Sequence, residues 1–171
     1  MIHAILIINN SGDPRILKFY SQGLDDDKRQ HIVRECYSAV VKRSDNVCNF
    51  LEGKALPHYG DNAKLVYRHY ATLYFIFIVD QQESELGILD LIQVTVECLD
   101  KCFEAVCELD LIFNSEKVHF ILDEIVMGGM VLETNMNSIL QAVNDMEKLD
   151  RSRADSSTIV TVGAGGSGNT G

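Results

Sequence analysis

The chain has 171 residues, 46% of them hydrophobic and 23% charged, with 25 acidic against 15 basic side chains and a formal net charge of −10. That balance belongs to a single globular domain rather than to a disordered or fibrous chain, and at this length a core needs no disulfide or metal to hold it. The negative charge repels phosphate backbones and anionic lipid, which excludes a general nucleic-acid binder, and the longest apolar run, the seven residues Leu73 to Val79, falls far short of the ~20 that a membrane-spanning helix requires.

In chain order, the run from Ile2 to Asn9 has no basic segment or small-residue cleavage site, so it reads as a strand and not as a signal peptide, and a cytoplasmic location is expected. Asn10 to Pro14 supplies turn chemistry and Arg15 to Tyr20 has strand composition, which predicts an opening hairpin. Asp25, Asp26 and Asp27 stand where a helix N-terminus favours carboxylates, and Ile32, Val33, Cys36, Tyr37, Val40 and Val41 follow at helical spacing. Val47 to Leu51, Leu65 to Tyr70 and Leu73 to Val79 are β-branched or aromatic runs of strand length, the last two joined by Ala71-Thr72 alone. Five strands are thus expected before residue 80.

From Leu86 the period changes. Leu89, Ile92, Val96, Leu99 and Phe103 step by three and four, and Val94, Cys98, Cys102 and Ala105 form a second apolar row, which predicts a helix covered on two sides. Asn114 or Ser115 caps a further helix that buries Val118, Ile121, Leu122, Ile125 and Val126 and stops at Gly128-Gly129. A last helix spans roughly Asn135 to Leu149. The order ββ, α, βββ, then helices is an α+β arrangement, an antiparallel sheet with helices packed on it. Beyond Arg153 the composition turns to glycine and serine. The expected organisation is one folded domain over residues 1–150 and a disordered tail over residues 151–171.

No motif in the chain carries catalysis. Gly163, Gly165 and Gly168 match a dinucleotide fingerprint, but no helix follows to receive a pyrophosphate. Cys98 and Cys102 share a helical face and Cys107 follows, without the second pair or the histidines of a zinc site. The five cysteines read as reduced thiols among apolar neighbours. The histidines are scattered singly, and the Asp25 to Asp27 run lacks the spaced ligands of a calcium loop. With no nucleophile elbow, phosphate loop or metalloprotease element, the chain is expected to be a non-enzyme without cofactor or metal.

Met1 to Ile7, the Arg15 to Tyr20 strand, Tyr67 to Phe75, and above all Cys107-Glu108-Leu109-Asp110-Leu111-Ile112-Phe113-Asn114 with Asp123-Glu124 beyond it, resemble the sigma (small) subunit of the heterotetrameric vesicle-coat adaptor complexes, the clathrin adaptor small chain family. The resemblance runs through ordered blocks from about Met1 to Leu149. The Leu56 to Asn62 connection and the Gln81 to Gly87 segment are most similar to the sigma subunit of the third adaptor complex. It implies a longin-like fold, a five-stranded antiparallel sheet flanked by helices. It also implies a direct partner, a large delta-type adaptin, with beta and mu subunits completing the tetramer. The implied role is sorting membrane cargo into vesicles from Golgi and endosomes to lysosomes and lysosome-related organelles, with membrane contact only through the complex.

The family also reads acidic dileucine signals, [D/E]-x-x-x-L-[L/I], in cargo tails. By resemblance the pocket for the two aliphatic side chains falls on Ala71, Leu73, Val96, Val106, Leu109 and Leu111, and the cation for the upstream acid on Arg15, with Arg68 assisting. Each aliphatic side chain buried in such a pocket contributes ~1.5–3 kcal/mol. Ala105 stands where endocytic relatives place an asparagine that touches the peptide. The competing reading is a free-standing longin-type regulator of a membrane-fusion or GTPase partner; such proteins usually continue into a heptad helix or a lipid-modified C-terminus, and this sequence shows neither.

Overall fold

The computed structural model describes residues 1–44, 49–52 and 56–162, with 157–162 as backbone alone. The chain runs β1 (Ile2–Asn9), β2 (Pro14–Phe19), α1 (Asp26–Val41), β3 (Phe50–Glu52), a 3-10 turn (Gly60–Asn62), β4 (Ala63–Tyr70), β5 (Leu73–Asp80), α2 (Glu85–Phe103), α3 (Glu108–Phe113), α4 (Ser115–Ile125), β6 (Val126–Met127), β7 (Met130–Val131) and α5 (Met136–Val162). The first five strands form one antiparallel sheet in the order β2-β1-β5-β4-β3. This is the α+β, longin-like arrangement expected from the element order.

Two apolar layers explain why the central strands are apolar without alternation. Ile5, Ile7, Phe75 and Phe77 face α2, α3, α4 and α5 through Leu91, Leu111, Val118 and Ile139, whereas Leu6, Ile8, Ile76 and Ile78 face α1 through Ile32, Cys36 and Val40. A strand covered on both faces loses its polar positions, so β1 and β5 read as continuous hydrophobic runs. Helix α1 begins at Asp25, whose carboxylate accepts the Lys28 amide, and α2 begins at Ser84, whose hydroxyl accepts the Gly87 amide. Both are N-cap contacts that satisfy an otherwise orphaned donor.

Several boundaries differ from the sequence expectation. Strand β3 is Phe50–Glu52, and Val47 and Cys48 lie outside the described residues. Gly128-Gly129 does not stop a helix. Helix α4 ends at Ile125, and the two glycines, both at positive φ, turn the β6–β7 hairpin, a two-residue turn that demands left-handed backbone twice. Helix α5 continues to Val162, past the expected end at Leu149. The expected tail from residue 151 therefore falls partly on this helix and partly on residues outside the description. Cys36 and Cys98 are buried as expected, while Cys107 is exposed.

Candidate functional site

The site assembles where the β1–β2 turn, the β4–β5 turn and the α2–α3 link approach one another. Asn9, 7% exposed, organises the first turn: its Oδ1 accepts the amides of Ser11 at 2.9 Å and Asp13 at 2.8 Å. This is the Asx geometry that short amide side chains favour. The turn feeds a β-bulge, because Ile7 pairs with Ile16 but Ile8 pairs with Pro14, leaving Arg15 as the extra residue. Ile16 packs on the α2–α5 side, so strict alternation would send Arg15 to the α1 side; a bulge re-aims such a side chain. Arg15 Nε instead donates to Glu108 Oε1 at 2.7 Å, at the first residue of α3.

Glu108 is held twice, since Asn9 Nδ2 donates to the same oxygen at 2.8 Å. The hydrogen bonds from Asn9 and from Arg15 keep its carboxyl below the ordinary glutamate range, because both favour the charged form. Asp13 also stands 3.6 Å from Arg15 Nη2. Arg15 is therefore three-quarters buried and already faces two carboxylates of its own chain.

Of the expected pocket residues, Leu73, Val96, Val106 and Leu111 come together in one core cluster, and none is more than 5% exposed. Ala71 and Leu109 lie at the surface, Leu109 at 60% exposure. The structure thus gathers four of the six apolar positions in the core and leaves two at the surface, with α3 carrying one of each, Leu111 and Leu109. Arg68 lies elsewhere. It is on β4, three strands from β2 in the sheet order, a separation of about 14 Å between backbones at ordinary strand spacing. Its Nε is buried without a hydrogen-bond partner among the described residues, and no described contact joins it to Arg15.

The α2–α3 link is fixed by a residue that no motif announces. Asp100 Oδ1 accepts the Val106 amide at 2.9 Å and Oδ2 accepts the Tyr70 hydroxyl at 2.7 Å, which pushes the Tyr70 phenol pKa up, its hydrogen bond to Asp100 being the leading cause. Between them Glu104 (φ 51°) and Ala105 (φ 78°) are both left-handed, a conformation that non-glycine residues avoid and that the surrounding contacts must hold. Asparagine tolerates this region better than alanine, so the backbone at Ala105 would accept an asparagine with less strain.

Among the described residues, no group of three or more histidine, cysteine or acidic side chains is placed to hold a metal, and no helix is long and apolar enough to cross a membrane. An open groove of about 730 Å³ lies between β2 and α1, lined by Leu17, Phe19 and Val33 together with Lys18, Arg29, Arg34 and Asp26. It includes none of the eight expected site residues.

Residues 1–150 match the family model described as clathrin adaptor complex small chain. The chain is 62% identical over 152 residues to the AP-3 complex subunit sigma-2 of Homo sapiens, covering 89% of this chain and 78% of that protein. It is 56% identical over 152 residues to the AP-3 complex subunit sigma of Dictyostelium discoideum, covering 88% of each. Its structure is similar, with a TM-score of 0.68 and 44% identity, to a chain in a homology model of the full-length AP-3 complex in a stretched open conformation, covering 91% of this chain and 99% of that one.

Proposed function

The chain belongs to the clathrin adaptor complex small chain family, whose members are non-catalytic coat subunits in vesicle cargo sorting, and from that premise we propose that it is the sigma subunit of an AP-3 complex and helps that complex bind acidic dileucine signals. The observation that carries the dileucine reading is the juxtaposition at α3. One short helix presents Leu109 at the surface and Leu111 in the core, and its first residue touches the bulged Arg15. Aliphatic surface beside a cation is what a peptide with two leucines and an upstream carboxylate requires.

The proposed direct partner is the large delta-type adaptin, with beta and mu subunits in the same tetramer. The β6–β7 hairpin supports a partner-covered surface, since Met127, Met130, Val131 and the adjoining Leu132 are 47–69% exposed. Contiguous exposed apolar side chains of this kind mark interaction surfaces. Membrane contact is then indirect, through the complex on Golgi, endosomal and vesicle membranes, and the cargo route ends at lysosomes and related organelles.

The test is peptide binding by a reconstituted tetramer containing this chain, with a fluorescent acidic dileucine peptide as probe. Leu73→Ser should abolish binding while gel filtration still shows the assembled tetramer. Leu109→Ser, at an exposed position where folding is not at stake, should weaken it several-fold. Unchanged binding in both variants would remove the pocket from this chain, and failure to co-purify with a delta-type subunit would remove the AP-3 assignment.

A further inference from the structure

Strand β2 is one edge of the five-stranded sheet, and no described strand pairs with its outer side. Tyr20 N donates to His3 O at 2.9 Å, which sets the alternation of the β1–β2 ladder. Ile16 and Lys18 therefore bond to Ile7 and Ile5, and Leu17 and Phe19 aim their N–H and C=O groups away from β1. Proteins protect such edges with proline, bulges or outward charges. Here Pro14 and the bulge at Arg15 cover only the start of β2. Over Ile16 to Phe19 the one charged side chain is Lys18, and its ammonium is committed to Asp123 on α4.

The groove of about 730 Å³ runs along this edge: it is lined from β2, from α1 on one face of the sheet and by His119 of α4, which packs on the other. Helix α1 turns Asp26, Arg29, Gln30, Val33 and Arg34 toward it, one stripe at helical spacing. Arg29 lies 5.7 Å over the Phe19 ring and 3.8 Å from Asp26, a carboxylate 93% exposed, so that pair is weak. Arg34 is exposed, and its guanidinium makes no ion pair among the described residues. Even with Lys18 set against Asp123 and Arg29 against Asp26, Arg34 leaves the groove positive in a chain of net charge −10.

Unpaired backbone on β2 calls for another backbone beside it, which a lipid or a free anion does not supply. The arginines call for carboxylates, and Leu17, Phe19 and Val33 for an aliphatic side chain. A second copy of this chain would bring like charges together, setting its own Arg29 and Arg34 against these. Residues 163–171 of the chain itself hold no acid and no large aliphatic side chain.

We propose that β2 and α1 form a docking groove for an extended acidic segment of a partner protein, which adds to the sheet as a sixth strand beside β2. Its backbone pairs with Leu17 and Phe19. Alternate side chains of a strand share a face, so on the α1 side its carboxylates meet Arg29 and Arg34 while an aliphatic residue between them covers Leu17 and Val33. The groove is separate from the dileucine reading, because none of the residues assigned to that signal lines it.

The experiment uses the reconstituted tetramer and a fluorescent synthetic peptide, Glu-Thr-Val-Thr-Glu-Thr-Val-Thr, with counterparts in which Gln or Lys replaces Glu and one methylated on the amide nitrogens that would face β2. The Gln peptide should bind about five-fold more weakly than the Glu peptide, as two exposed carboxylate–arginine contacts allow, and the methylated peptide should not bind. Arg29→Glu and Arg34→Glu, both at exposed positions, should each weaken the Glu peptide about three- to ten-fold with the tetramer still assembled on gel filtration. Arg34→Glu should bind the Lys peptide more tightly than the wild type does. Amide exchange across residues 15–20 should slow when the Glu peptide is bound.

No binding of the Glu peptide, or binding that ignores both arginine substitutions, would overturn the proposal. A methylated peptide that binds as well as its parent would overturn strand addition. Slow exchange over residues 15–20 before any peptide is added would show that another subunit or a second copy already covers the edge, which also removes the docking site. Phosphatidylserine vesicles that bind the wild type and not Arg34→Glu, with the Glu peptide unbound, would give the groove to a membrane instead.

Discussion

Tyr70 and Asp100 are joined by a 2.7 Å hydrogen bond from the phenol to Oδ2, while the other oxygen of the same carboxylate takes the Val106 amide at 2.9 Å. The end of β4, the last turn of α2 and the entry to the pocket segment are thereby fixed by one side chain. Asp100→Ala leaves the Val106 amide without an acceptor at a residue only 5% exposed, a loss of about 1–3 kcal/mol. The urea midpoint should fall accordingly. Asp100→Asn, which keeps an acceptor for the amide, should fall less, and an unchanged midpoint in Asp100→Ala would show that this bond does not hold the link.

Much of the architecture follows from patterns visible in the sequence, and the departures have local causes. The five strands were readable because β1 and β5, covered on both faces, are continuous β-branched and aromatic runs. The α2 periodicity was readable because two apolar rows face two layers. Helix α3 was not: six residues span less than two turns, too few for a period to show. The Gly128-Gly129 pair is ambiguous in sequence between a helix stop and a hairpin turn, since both use left-handed glycine. The expected site residues were carried by resemblance. What the residues alone did not yield was the Glu108 contact with Arg15, which depends on the bulge at Arg15, and bulges arise from pairing between distant strands. Asn9 was the readable clue, an amide side chain opening a turn of Asn, Ser, Gly and Asp.

His119 on α4 supplies a pH dependence. Burial pushes its imidazolium pKa down, Lys18 adds to the effect and Asp123 opposes it; Lys18 and Asp123 are themselves an ion pair. The unfolded chain takes up this proton near the ordinary histidine value of about 6.5, and the folded chain takes it up at lower pH. Over that interval the unfolded state binds more protons, so stability is full above about pH 6.5 and declines as pH falls through the folded value. His119→Gln removes this contribution. Urea midpoints measured at pH 7 and pH 5 should differ less in the variant than in the wild type, and an equal drop in both would assign the decline to other groups.

The β6–β7 turn allows two neighbouring glycines to be separated by one measurement. Both are left-handed, Gly128 at φ 59° and Gly129 at φ 83°, so alanine at either incurs about 1–2 kcal/mol of backbone strain. Only Gly129 meets a further obstacle. A Cβ there would stand 2.4 Å from the Ile2 carbonyl oxygen, whereas one on Gly128 has nothing within 4 Å. The obstacle is backbone and cannot rotate away, and the Ile2 amide is itself tied to the Gly129 carbonyl at 2.8 Å. Gly129→Ala must therefore push the hairpin off the start of β1 and lose that hydrogen bond as well. Thermal unfolding should show Gly128→Ala lowered only by its strain and Gly129→Ala lowered by at least about 1 kcal/mol more, the worth of the lost backbone bond. Equal losses would mean that the hairpin does not rest on β1 in solution.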